Sequence, residues 1–201
     1  MNKELNELLG EISRLQGEVE KRWEDMRQQF NYTIEGHKVR FEAEIKRLHA
    51  RYKIRLIKYL ISARPLSIIT APVIYSMVVP IVFLDLAITI YQHICFRAYG
   101  IARVERRDYI IIDRHQLSYL NIIEKFNCVY CGYGNGFMAY AQEIIARTEQ
   151  YWCPIKHARR VRATHGHYKD FSDYGDAENY SKQLDELRKA LADIDNKPDA
   201  P

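Results

Sequence analysis

Apolar residues recur through the first sixty positions in steps of four, three and four. Leu8, Ile12, Leu15, Val19, Trp23, Met26, Phe30 and Ile34 carry the series; it resumes at Phe41, Ile45, Leu48 and Tyr52 and reaches Leu56 and Tyr59. The repeat is eleven residues long, with one polar slot at His37. Such a repeat corresponds to about 3.67 residues per turn, which keeps one stripe nearly straight or coils it gently right-handed. Glu18, Lys21, Arg22, Glu24 and Asp25 cover the other faces. The pattern predicts a long amphipathic, coiled-coil-like helix over residues 1–60. Its stripe needs a partner, either a second copy of the chain or another helix, because one helix cannot bury its own apolar side. Gly10, Gly17 and Gly36 weaken it locally, and Asn31 to Gly36 marks a possible break.

The pattern then changes. From Leu66 to Phe96 there is one acid, Asp85, and no Lys or Arg. A helix of about 25 residues here would rise about 38 Å, enough to cross the hydrocarbon of a bilayer. Pro72 and Pro80 complicate a simple crossing, and Pro80 would suit the bend of a re-entrant pair, 66–79 and 81–96. Lys46, Arg47, Arg51, Lys53, Arg55, Lys58 and Arg64 precede the segment, and Arg97, Arg103, Arg106, Arg107 and Arg114 follow it. Basic flanks mark cytoplasmic ends. With both ends marked, a re-entrant or interfacial anchor over 61–100 is favoured over a single span, with the basic clusters on anionic lipid headgroups. Asp85 is expected near the interface, where a carboxylate is cheap, rather than as a proton or ligand site.

Four residues further on have metal-ligand spacing. Cys128 and Cys131 form C-x2-C, and Cys153 and His157 follow after twenty-one residues as C-x3-H. Gly132 directly after the second Cys suits a tight knuckle, and Pro154 suits the first position of a helix that would carry His157 over Cys153. Three thiolates and an imidazole suit zinc in a closed, structural site. The expected unit is a Cys3His metal-binding module over 101–170. In it a helix from Gln116 to Phe126, started by Asp113, leads into the knuckle. A turn at Tyr133-Gly134-Asn135-Gly136 comes next, and then a helix from Phe137 to about Tyr151. A redox role for Cys128 and Cys131 lacks the strand-then-helix setting it would need.

Beyond the last ligand, Lys156, Arg159, Arg160, Arg162, His165, His167 and Lys169 make a basic run, read first as a headgroup contact and otherwise as a nucleic-acid surface. Tyr180, Leu184, Leu187, Leu191 and Ile194 form a heptad-like stripe on a final helix, 177–195, and 196–201 is expected to be a disordered tail.

Composition narrows the class. The chain has 201 residues, a net charge of +4 and 47% hydrophobic residues, which excludes a wholly disordered chain. The polar start, Met1 to Gln16, is not a cleavable signal peptide, and four cysteines are too few for a disulfide-built secreted fold. The expected compartment is a membrane with the polar parts in the cytoplasm. The expected fold class is mainly α.

Three functions remain open. The first is a membrane-anchored interaction or scaffold protein, homo-oligomeric through residues 8–59, with a structural zinc site. The second is a membrane-interface enzyme acting on a lipid-like substrate, with Asp113, Arg114, His115, Asn121, Glu124, Glu143 and Arg147 as its polar groups. The third is a basic zinc module binding nucleic acid, whose affinity would fall steeply with salt. No Gly-rich phosphate loop or Ser-His-Asp arrangement favours catalysis, and Asp113-Arg114-His115 reads first as an ordinary helix start.

Overall fold

A computed structural model describes residues 2–29, 32–35, 38–41, 43–192 and 194. The chain is mainly helical and divides into two compact units.

The first unit comprises residues 1–61 and 113–126. Helix α1 runs Asn2–Gln29 and ends well short of the sixty-residue helix expected from the repeat. Strands β1 (Tyr32–Glu35) and β2 (Lys38–Phe41) follow and pair antiparallel, with Thr33 opposite Arg40 and Ile34 opposite Val39. The eleven-residue series is therefore shared between a helix, a hairpin and two short helices, α2 (Ala43–Arg51) and α3 (Leu56–Ser62). Tyr, Thr, Ile, Val and Phe favour extended backbone, and the stretch between them carries Gly36, so local preference overrides the helical spacing. Phe30 and His37, two positions of that series, lie outside the described residues, as does the 196–201 tail. The His49 ring meets Phe41 and Tyr119 edge-on, with centroids 5.6 and 5.7 Å away.

The second unit comprises residues 62–112 and 127–198. Helix α4 (Pro65–Ser76) passes into α5 (Val78–Tyr99) through Met77, whose φ of −64° and ψ of −15° remain helical. The Ile81 amide still reaches the Met77 carbonyl at 3.3 Å. No reversal occurs at Pro80, which corrects the re-entrant bend placed there. Pro80 falls in the first turn of α5, where a missing N–H is least costly. The result is one apolar helical run, Pro65–Tyr99, of 35 residues. Gly100 stops it at φ 67°, a left-handed conformation that glycine adopts without strain, and the Ile101 amide closes on the Phe96 carbonyl at 2.9 Å.

The chain then doubles back. Residues 101–112, with a single helical turn α6 (Arg106–Tyr109), return along α5. The long helix α7 (Ile122–Trp152) then lies parallel to α4 and α5. The direction is read from successive contacts. The Tyr130 hydroxyl donates to the Ile74 carbonyl at 2.6 Å, the Tyr133 hydroxyl to Asp85 at 2.8 Å, and Tyr91 meets Thr148 at 2.8 Å. The return segment runs the other way between the helices. Arg147 Nη1 donates to the Ala102 carbonyl at 2.7 Å, and Gln92 Oε1 accepts from the Val104 amide at 3.1 Å. The buried Gln92 amide also donates to the Val104 carbonyl and to the Tyr140 hydroxyl, so it leaves no polar atom unpaired while pinning the return segment.

Tyr109 and Ile110 pass directly over Gly136, where a Cβ would lie 2.6 Å from the Tyr109 carbonyl oxygen. Phe96, Ile101, Val104, Phe137, Tyr140, Ala141, Ile144 and Leu191 form the core. Leu191 comes from α8 (Ala177–Ala192), which is fastened by Gln150 donating to the Leu187 carbonyl at 2.7 Å and Arg188 donating to that of Tyr151 at 2.9 Å.

Candidate functional site

The local sequence explains why α7 is one helix of 31 residues where two helices and a knuckle were expected. It starts at a capping box read by neither helix assignment. Asn121 Oδ1 accepts from the Ile123 and Glu124 amides, each at 3.0 Å, and Glu124 returns a carboxylate to the Asn121 amide at 2.8 Å. Asn121-Ile122-Ile123-Glu124 carries that signal in plain view, whereas Asp113 makes no side-chain cap and precedes only a 3-10 turn, Arg114–Gln116. The expected turn at Tyr133–Gly136 is helical. Its glycines serve close packing: Gly136 under the return segment, and Gly134 with Ile81 3.9 Å from where its Cβ would be. At the other end Cys153 makes the last helical bond, to the Glu149 carbonyl at 2.8 Å. Pro154 has no N–H to continue the ladder and disfavours helical backbone at Cys153, so the helix ends there instead of starting.

These facts place the four expected zinc ligands. Cys128 and Cys131 lie one turn apart on α7, Cys153 lies just past its end, and His157 lies in the loop beyond. Twenty-two residues of helix separate Cys131 from Cys153, a rise of about 33 Å. Thiolates sharing one zinc sit about 4 Å apart. The structure does not bring the four together. All four cysteines are free. Among the described residues no three His, Cys, Asp or Glu side chains converge as a metal site. His157 instead stacks on Tyr168, with centroids 6.1 Å apart.

The structure also assembles two polar groupings that no spacing in the sequence announces. The first surrounds Asp85, whose side chain is 11% exposed. Arg106 Nη2 donates to it at 2.6 Å, Tyr133 at 2.8 Å and Thr89 at 3.4 Å. Every partner stabilises the ionised carboxylate, and Arg106, 48% exposed, connects it to solvent. Asp85 faces protein, with a cation of the return segment as its counter-ion.

The second grouping holds the loop after α7. The Ser172 amide donates to the Pro154 carbonyl at 2.9 Å and the Lys156 amide to that of Ser172 at 2.8 Å, so the base of the loop is closed. Its return limb, a 3-10 turn Gly166–Asp170, docks on α7 through two imidazole–carboxylate pairs, His165–Glu149 at 2.9 Å and His167–Glu143 at 3.0 Å. Arg147 donates to the same Glu143 oxygen at 2.9 Å. Burial alone would raise the Glu143 carboxyl, but the hydrogen bonds from His167 and Arg147 outweigh it and hold it at about 2. A carboxylate ionised this firmly is no proton donor at neutral pH. Glu143 and Arg147 are thus parts of a clamp, and Asn121 and Glu124 are parts of a helix cap. Arg159, Arg160 and Arg162 lie exposed on the loop that the clamp secures.

The helix Pro65–Tyr99 also carries an extended exposed apolar surface. Val79, Phe83, Leu86, Ile90 and Ile94 on α5 are 50 to 74% exposed, and Leu66, Ile69 and Val73 on α4, with Met77 at the junction, continue the surface. The fold therefore defines a mainly helical chain with, among the described residues, one helix long and apolar enough to cross a membrane. No known protein family, curated protein or solved structure matches the chain, so function rests on this geometry alone.

Proposed function

We propose that the chain is a membrane-attached interaction protein: the Pro65–Tyr99 helix attaches it and α1 associates with a second copy. One observation carries the reading. The helix exposes apolar side chains along its whole length, while Asp85 and Gln92 turn inward and are paired, and the exposed Thr70, Ser76 and His93 bond back to carbonyls of the helix itself. Isolated apolar residues are ordinary on a soluble surface, but a contiguous patch of this length is a site of membrane or protein contact. The basic residues at both ends of the helix favour cytoplasmic placement of the polar parts and contact with anionic headgroups. For α1, Leu15, Val19, Trp23 and Met26 form an exposed stripe at helical spacing that a second copy would cover.

Flotation of the full chain with lipid vesicles tests attachment. The chain should rise with vesicles containing anionic lipid, and Phe83→Glu with Ile90→Glu should leave it at the bottom of the gradient. Mass measurement in mild detergent tests association: Leu15→Asp with Trp23→Asp should reduce an oligomer to a monomer. A chain that stays in solution beside vesicles, or a mass unchanged by the double substitution, refutes the respective half.

A further inference from the structure

We infer that the apolar helix lies in the plane of one leaflet and does not cross the bilayer. This rests on membrane attachment and adds the geometry of it. The first argument is length. Between Arg64 and Arg97, both exposed, the helix runs through residues 65–96, and 32 helical residues rise about 48 Å. The hydrocarbon core is about 30 Å thick. Confining the whole run to hydrocarbon takes a tilt of about 50°, beyond the 0–40° range of crossing helices; a smaller tilt leaves its apolar ends in the headgroup regions.

The second argument is the position of charge. A bilayer reaching Arg97 would immerse the Arg106–Asp85 pair and its exposed neighbours Glu105, Arg107 and Asp108, all on the return segment beside α5. A bilayer ending at Asp85 would leave Leu86, Ile90 and Ile94 in water. Neither boundary satisfies both sets of side chains.

Along α5 an in-plane helix accommodates both, because the stripe and the core-facing residues occupy opposite sides of it. The exposed stripe Val79, Phe83, Leu86, Ile90, Ile94 advances by four, three, four and four residues, along one face. Asp85, Gln92 and Phe96, which face the core, each follow a stripe residue by two positions, about 200° further round the helix. The stripe can sink into the boundary of headgroups and acyl chains while the return segment stays in water on the opposite side. Arg97 ends the stripe within reach of lipid phosphate. Two residues on, Tyr99 meets Trp152 edge-on with centroids 5.4 Å apart, an aromatic pair of the kind favoured at headgroup level. The occupant of the stripe is thus the surface of a single leaflet, and no part of the chain from Arg64 to Arg97 passes to the far side.

Depth-dependent fluorescence quenching tests this with the full chain. Trp23 and Trp152 are first replaced by Phe, and single tryptophans are placed as Val73→Trp, Phe83→Trp or Ile94→Trp. Each variant is bound to vesicles of neutral and anionic phospholipid brominated at shallow or deep acyl positions. The in-plane geometry gives all three positions the same preference for the shallow bromines. A deep Val73→Trp with an unquenched Ile94→Trp would overturn it in favour of crossing. Flotation without quenching at Phe83→Trp and Ile94→Trp would also overturn it, assigning the stripe to a protein partner. Failure to float at all would remove the attachment itself, a result distinct from either.

Discussion

Adding one methyl group at two glycines of the same helix should move stability in opposite directions. Gly134 and Gly136 both lie within α7, and replacing glycine by alanine inside a helix contributes about 0.8–1 kcal/mol of helix preference at either. At Gly134 the new Cβ would meet only Ile81 Cδ1, at 3.9 Å, an ordinary contact, so Gly134→Ala should stabilise by up to about 1 kcal/mol. At Gly136 it would stand 2.6 Å from the Tyr109 carbonyl oxygen and 2.8 Å from Ile110 Cα. Those atoms are backbone and cannot rotate aside; the return segment itself must move. Overpacking costs about 1–3 kcal/mol, and a backbone obstacle places this case at the upper end. The net effect of Gly136→Ala is then a loss of about 2 kcal/mol, and the two variants should differ by about 3 kcal/mol.

Unfolding in mild detergent, followed by helical circular dichroism, reads the difference. Amide exchange over 101–112 locates it, since displacement of the return segment strains the Gln92–Val104 bonds and the Arg106–Asp85 pair. Equal stability of the two variants, or a Gly136→Ala chain more stable than its parent, would refute the packing described for α7. It would also reopen the reading in which these glycines belong to a turn.

Two further outcomes follow from the polar groups. The Glu143 carboxyl falls from 4.5 to about 2 on folding, so it contributes stability above pH 4.5 that is lost as the pH falls toward 2. The shift corresponds to at most about 3 kcal/mol, and the stability gap between the parent and Glu143→Gln should close over that window; a gap constant with pH refutes the clamp. Cys131→Ser should leave helical content and bound zinc unchanged, because its sulfur lies a helix length from Cys153. Loss of stoichiometric zinc with unfolding would show instead that the four distant ligands do meet.

Several elements were legible because their cause is local. The apolar run needs no knowledge of neighbours: thirty residues without a Lys or Arg exclude themselves from a charged surface. The stripe from Tyr180 onward and the helix Ala177–Ala192 agree because a heptad-like spacing has few other outlets. The Asn121–Glu124 cap is equally local, and Asp113, the other candidate start, makes no side-chain cap. The four expected zinc ligands lie apart for a different reason. Cys-x2-Cys with a following glycine describes a knuckle and also one turn of a helix, and spacing alone does not choose between them. What chooses is the return segment, which requires bare backbone at Gly136 and thereby rewards continued helix through Tyr133–Gly136.

By itself, then, the sequence settled what depends on runs of similar residues: a mainly helical chain and an apolar segment between basic flanks. Only tertiary structure decided which polar groups meet. Asp85 finds Arg106 twenty-one residues away, and Glu143 finds His167 twenty-four residues away, because α5, the return segment and α7 pack side by side. Such pairs leave no periodic trace in the chain. Their partners are chosen by the direction in which the backbone folds back, and that direction is fixed by where side chains leave room for it.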